Sequence, residues 1–145
     1  MINRNHIKDL SERIALEYSE YVTPLDKIIE DEGLSVFYDS YGRDTFDGMT
    51  IYDNGKFYIH INTDLGNKHN SPRGRFTLAH ELGHIFYGHS NRKIDILEAQ
   101  VEADKFAIEL GFENEIESFL QGLPESLEKR VRLSYVTSYI FDRDI

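Results

Sequence analysis

Two histidines and a glutamate lie together in the segment His80-Glu81-Leu82-Gly83-His84. On a helix with 3.6 residues per turn, His80 and His84 are about 40° apart on one face, so both imidazoles can reach one ion at the roughly 2.0–2.1 Å that zinc requires. Glu81 is rotated about 100° from His80 and can take a proton from an attacking water. The spacing therefore predicts metal-assisted hydrolysis, with His80 and His84 as metal ligands and Glu81 as the catalytic residue.

A plainer interpretation makes His80 and His84 structural histidines and Glu81 a solvated charge. The metal interpretation is favoured because three residues match a five-residue pattern within a segment that is independently helical. The apolar and small residues that recur at helical spacing in this segment are Phe76, Ala79, Leu82, Gly83 and Phe86.

A catalytic zinc also needs a third protein ligand. The chain has no cysteine, so this ligand must offer nitrogen or oxygen. One class of zinc protease places a third His six residues after the second, but that position is Ser90 here, and His89 is expected to be a solvated cation at the end of the helix. The ligand is therefore expected from a later helix, whose polar candidates are Glu98, Gln100, Glu102 and Asp104.

Helical periodicity sorts these four candidates. The buried face of the later helix is defined by Ile96, Ala103, Phe106, Ala107 and Leu110. Glu98 and Glu102 fall on the opposite side, where a solvated charge is the simpler interpretation. Gln100 and Asp104 are four residues apart at the border of the buried face, so Gln100 could be the third ligand and Asp104 could accept a hydrogen bond from a ligating His. A purely structural role for both is left equally open.

The other elements must position these two helices. Helices are predicted over about residues 5–20, from Pro24 (capped by Thr23) to Gly33, from Pro72 to Gly88, over about 94–110, over about 112–121, and after Pro124. Alternation from Leu34 to Tyr38 indicates a strand, and two more strands flank Asn54-Gly55, a strong hairpin signal. We expect an α+β domain with N-terminal helices, a small antiparallel three-stranded sheet, the His80–His84 helix and C-terminal helices.

Composition limits the partners that this chain can have. Its 145 residues are expected to form one domain, and its net charge of −10 disfavours nucleic acid. The basic run Lys129-Arg130-Val131-Arg132 is expected on the solvent face of an amphipathic helix. No apolar stretch approaches the roughly 20 residues that span a membrane, and no signal-peptide core is recognisable, so we expect a cytoplasmic protein without membrane contact.

Two stretches resemble the ImmA/IrrE family of metallopeptidases. They are RFTLAHELGH, from Arg75 to His84, and EADKFAIEL, from Glu102 to Leu110. The resemblance implies a zincin-like fold, a zinc site of two His and one Glu, and endopeptidase activity. It also implies a substrate, namely a helix-turn-helix transcriptional repressor of a phage or mobile element.

The chain departs from this family at the third ligand. The family has a Glu three residues before the Ala of its Ala-Asn/Asp-x-Phe-Ala stretch, and that position is Gln100 here. A neutral amide is a poorer zinc ligand than a carboxylate. Three outcomes are therefore open: weaker zinc binding through Gln100, replacement by Glu102 or Glu98, or loss of proteolysis.

Three functions follow from these observations. The first is a zinc-dependent endopeptidase that cleaves a regulatory protein, for which Tyr58, Tyr87 and His89 are unranked candidates to stabilise the oxyanion. The alternative is a weakly metallated or inactive zincin-like binding module that sequesters a regulatory partner. A non-proteolytic metal hydrolase is a third and weaker hypothesis.

Overall fold

The computed structural model describes residues 25–89 and 93–144. The helix predicted over residues 5–20 and the helix start at Thr23 and Pro24 lie outside this part of the chain. Within it the elements are α1 (Leu25–Asp31), β1 (Ser35–Asp39), β2 (Gly48–Asp53), β3 (Lys56–Asn62), a 3-10 turn (Thr63–Leu65), α2 (Pro72–Phe86), α3 (Ile96–Glu109), α4 (Glu113–Gln121) and α5 (Leu127–Asp144). The predicted α+β class is confirmed.

The three strands form one sheet in the order β1-β3-β2. β2 and β3 are the predicted antiparallel hairpin, and its turn residues Asn54 and Gly55 have φ of 54° and 80°, as the favoured two-residue turn requires. β1 pairs parallel with β3, with Val36 opposite Ile59, so the all-antiparallel prediction was wrong for this strand. The cause is a double reversal: the chain turns back over 40–47 and again at the hairpin, which leaves β3 running in the direction of β1.

The core lies between the sheet and helices α2 and α3. Ile59 and Ile61 of β3 are fully buried on the inner face of the sheet. The helices α2 and α3 approach closely at Gly83, where a Cβ would lie 2.9 Å from the Cα of Ala103 and 3.0 Å from the Cβ of Phe106. This close approach brings the polar face of α3 opposite the histidines of α2.

The buried face predicted for α3 is largely confirmed. Its apolar members Ala103, Phe106, Ala107 and Leu110 are all buried. Ile96 is 80% exposed, so that part of the prediction was wrong; the buried stripe begins one turn later, at Ala99.

Side-chain caps fix where the two site helices begin. Ser71 accepts a hydrogen bond from the backbone N–H of Gly74, and Pro72 occupies the first helical position of α2. Asp95 accepts from two backbone N–H groups at the start of α3. Both helices therefore begin at positions that local sequence determines.

The basic run at the start of α5 is not the solvated face that the sequence predicts. Lys129 is buried and donates to the carbonyl oxygens of Gln121 and Leu123 at 3.1 and 2.8 Å, where it caps the end of α4. Arg132 is also buried, and only Arg130 of the three cations is exposed. Over residues 25–89 and 93–144, no helix has both the length and the apolarity to cross a membrane.

Candidate metal centre

Three potential donor atoms converge between α2 and α3. The Nε2 atom of His80 lies 3.1 Å from Nε2 of His84 and 2.7 Å from Oε1 of Gln100. The histidines are one turn apart on α2, as the sequence predicts, and Gln100 reaches them from α3. In a tetrahedral zinc site with bonds of about 2.0–2.1 Å, neighbouring ligand atoms are roughly 3.3 Å apart, so this spacing is close to that of a ligand set.

A buried carboxylate lies behind His80. Oδ1 of Asp104 is 2.9 Å from Nδ1 of His80, and Arg132 of α5 donates two hydrogen bonds of 2.8 Å to the two Asp104 oxygens. Burial by itself would raise the pKa of Asp104, but the hydrogen bonds from Arg132 and His80 outweigh it, so the pKa is lowered. An ionised carboxylate can only accept, so Nδ1 of His80 donates and Nε2 faces the other donor atoms.

A second chain of contacts lies behind His84. Its Nδ1 is 2.7 Å from Nδ1 of His89, whose Nε2 is 3.1 Å from Oε1 of Glu102. The side chains of His89 and Glu102 are only 7% and 13% exposed, so the predictions of a solvated cation and a surface charge were wrong. The turn after α2 folds His89 back against α3, which a helical projection cannot foresee.

The remaining candidates lie elsewhere. Glu98 is exposed on α3, as predicted. Among the described residues, the acidic and imidazole side chains whose ligating atoms all lie within 4.8 Å of one another are those of His80, Glu81 and His84. Glu102 is outside this group and contacts His89 instead.

The donor set fits a cation. Burial and the neighbouring His80 and His89 lower the pKa of His84 to about 2, so its imidazole stays neutral. The amide group of Gln100 directs its nitrogen to Glu128 at 3.4 Å, which leaves its oxygen facing the histidines. Because Nδ1 of His80 is directed to Asp104, the Nε2 atoms of both histidines and the amide oxygen of Gln100 face one another, an arrangement that a metal ion stabilises.

The carboxylate of Glu81 is buried beside these donors. Thr50 of β2 donates a hydrogen bond of 2.8 Å to its Oε1. Gly48 makes room for it, because a Cβ at that position would lie 2.9 Å from Cγ of Glu81 and 2.9 Å from Cγ2 of Thr77. Burial raises the pKa of Glu81, while His80 and Thr50 oppose the shift, and a carboxylate with a raised pKa is better matched to accepting a proton near neutral pH.

Sequence reasoning missed the roles of Thr50 and Gly48. The glycine at the start of a strand was an available signal, since strand glycines often mark a close approach by another group. Thr50 offered no such signal, because a threonine is ordinary in a strand.

A cleft of about 270 Å³ opens onto His80, Glu81 and Gln100. A second cavity of about 390 Å³ adjoins it, and Phe119 and Leu123 line both. The sequence offers Tyr58, Tyr87 and His89 as candidates to stabilise the oxyanion. None of these three residues lines the 270 Å³ cleft.

Fold and site together define a metallopeptidase-type domain. The sequence matches the peptidase family described as the IrrE N-terminal-like domain over residues 29–119, a stretch that includes all three strands, α2 and α3. The match covers more than half of the chain, so the chain belongs to this family, and the resemblance noted from RFTLAHELGH and EADKFAIEL is confirmed. Comparison with curated proteins and with solved structures gave no significant match.

Proposed function

We propose that this protein is a zinc-dependent endopeptidase with His80, His84 and Gln100 as metal ligands and Glu81 as general base. The observation that carries the proposal is the convergence of three lone-pair donors beside a buried carboxylate, with Gln100 Oε1 and His84 Nε2 lying 2.7 and 3.1 Å from His80 Nε2. Two imidazoles and one oxygen are a donor set that zinc accepts.

The chemistry divides between the ion and the chain. A bound zinc supplies a Lewis acid that polarises the scissile carbonyl and acidifies the attacking water. Glu81 takes the proton of that water and can return it to the leaving amine. Thr50 keeps the carboxylate directed into the cleft, and Asp104 holds His80 in the tautomer that leaves Nε2 free.

The surroundings of Glu81 favour a polypeptide substrate over a small ester or amide. In the sheet of the described residues β2 is an edge strand, and its Gly48 and Thr50 lie against Glu81. An extended peptide can pair with such an edge through its backbone. The second cavity shares Phe119 and Leu123 with the cleft and offers room for residues on one side of the cleaved bond.

The substrate class rests on resemblance. Several members of the ImmA/IrrE family cleave helix-turn-helix repressors, so we propose that this protein cleaves a transcriptional repressor of a phage or other mobile element. Its net charge of −10 supports a protein substrate rather than direct nucleic-acid binding.

The test begins with zinc per chain after dialysis, measured by elemental analysis. Zinc-loaded protein and its Glu81→Gln variant are then incubated with candidate helix-turn-helix repressors from the same genome, and the products are identified by mass spectrometry. We expect about one zinc in both proteins and cleavage by the wild type alone. Cleavage by both would remove Glu81 from the mechanism, and a wild type without zinc would contradict the proposal.

A binding module is the second candidate, and the neutral Gln100 favours it, since it removes one ligand charge from the site. This candidate predicts that the repressor binds with equal affinity to the wild type and to Glu81→Gln, and that neither cuts it. Calorimetry on both proteins, run beside the cleavage assay, separates the two functions.

A further inference from the structure

The proposed ligand His84 is backed by a largely buried pair of side chains. Its Nδ1 is 2.7 Å from Nδ1 of His89, and Nε2 of His89 is 3.1 Å from Oε1 of Glu102. Tyr87 stacks on the ring of His89, with ring centroids 6.1 Å apart and an interplanar angle of 20°. The imidazole of His89 is therefore held on its edge by hydrogen bonds and on its face by packing.

The carboxylate at the end of this chain determines where the hydrogens lie. A carboxylate oxygen accepts in this contact, so Nε2 of His89 carries the hydrogen. A neutral imidazole has one donor and one acceptor nitrogen, so Nδ1 of His89 accepts and Nδ1 of His84 donates. His84 then presents a lone pair on Nε2, the atom that faces His80.

We infer that His89 and Glu102 are positioning residues that hold His84 in its Nδ1-protonated tautomer and aim its Nε2 at the metal position, an inference that rests on the proposed metal site. Glu102 thus acts behind a ligand and does not replace Gln100 as a ligand. Partners of this kind are worth roughly 10- to 100-fold in metal affinity.

The carboxylates behind the two proposed histidine ligands come from the same helix. Asp104 lies behind His80 and Glu102 behind His84, and both carboxylates belong to α3. Hydrogen bonding to a carboxylate makes an imidazole a stronger donor. With the neutral Gln100 as third ligand, the site depends on these two carboxylates for negative charge near the metal.

The tautomer can be observed without any metal. Long-range ¹H–¹⁵N spectra of the metal-free protein near neutral pH report which nitrogen of His84 is protonated. We expect Nδ1 in the wild type and in Glu98→Gln, which changes an exposed carboxylate of the same helix. Glu102→Gln should give a mixture of tautomers. Protonation of His84 at Nε2 in the wild type, or an unchanged tautomer in Glu102→Gln, would overturn the inference.

The second measurement is the zinc affinity of each variant, determined by competition with a chelator. His89→Phe fills the space but accepts no hydrogen bond, and we expect binding roughly 10- to 100-fold weaker, with Glu102→Gln roughly tenfold weaker. Because the two residues act as one chain, the double variant should bind no more weakly than His89→Phe alone. Two results would contradict the inference that His89 and Glu102 act together on His84. One is a double variant whose loss of zinc affinity is the product of the two single losses, and the other is a Glu102→Gln affinity equal to that of Glu98→Gln.

Circular dichroism checks that each variant is folded, and Glu102→Gln keeps the test decisive if His89→Phe does not fold. A wild type that binds no zinc would end the proposed peptidase function. The spectra of the metal-free protein would still decide whether His89 and Glu102 fix the tautomer of His84.

Discussion

Thr50 of β2 donates a 2.8 Å hydrogen bond to Glu81 of α2, so the sheet and α2 meet at the proposed base. This bond stabilises the ionised carboxylate against a burial that raises its pKa. Thr50→Val removes the donor and keeps the side-chain shape. We expect kcat to fall roughly tenfold, because a hydrogen bond to a charged group is worth about 1.5–3 kcal/mol. The acid limb of the kcat profile should move to higher pH, since the pKa of Glu81 rises further.

Zinc affinity distinguishes this positional effect from damage to the site. Thr50→Val should bind zinc as the wild type does, since Thr50 contacts the base and not the ligands. Thr63→Val, at an exposed threonine beyond β3, is the matched control and should leave kcat unchanged. An unmoved acid limb in Thr50→Val would show that the hydrogen bond does not tune Glu81.

Local signals in the sequence predict much of this fold. The hairpin follows from Asn54-Gly55, whose left-handed backbone few other pairs adopt. The helices follow from apolar spacing, and the placement of His80 and His84 follows from one helical turn. These features depend on residues a few positions apart, which is why a single sequence reveals them.

Features that depend on packing between distant segments were not predictable. The parallel pairing of β1 arises from two chain reversals, and each is visible only in three dimensions. Arg132 looks like a surface cation until α5 packs on α3 and pairs it with Asp104. Glu102 looks solvated until the turn after α2 brings His89 against it.

The Gln100→Glu variant tests whether position 100 ligates the metal. A carboxylate adds a full negative charge where the amide oxygen now lies 2.7 Å from Nε2 of His80. We expect zinc affinity to rise roughly tenfold or more, because an added charge beside a divalent ion is worth well over the roughly 1.4 kcal/mol of one decade. Chelator competition measures it, with Gln121→Glu as an exposed control. Equal affinity in Gln100→Glu and the wild type would remove residue 100 from the ligand set.

The buried pair of Asp104 and Arg132 should be important for stability. Arg132 is 4% exposed and Asp104 fully buried, and two hydrogen bonds of 2.8 Å join them. Arg132→Met leaves the carboxylate buried without this partner, and we expect the free energy of unfolding to fall by about 3–5 kcal/mol. Urea unfolding measures the loss. Arg130→Met, at the exposed cation two residues earlier, should change stability by no more than about 0.5 kcal/mol, and an equal loss in both variants would contradict the burial argument.

The lowered pKa of His84 predicts how the stability of the metal-free protein depends on pH. Its pKa is about 2 in the folded chain, against an ordinary value of 6.5. Between these values the unfolded chain binds a proton at His84 that the folded chain does not, so the folded state loses stability as the pH falls below 6.5. The slope from this one group is at most about 1.4 kcal/mol per pH unit.

Glu81 acts in the opposite direction, so a variant is needed to isolate His84. The raised pKa of Glu81 lets the folded chain bind a proton that the unfolded chain has released, which stabilises the fold as the pH falls. His84→Asn removes only the histidine contribution. Urea unfolding should therefore show that the wild type loses stability faster than His84→Asn as the pH falls from 6.5, whereas His69→Asn, at an exposed imidazole, should follow the wild type. Parallel curves for the wild type and His84→Asn would mean that His84 takes up its proton in the folded state, and the lone pair assigned to the metal would then be lost at mildly acidic pH.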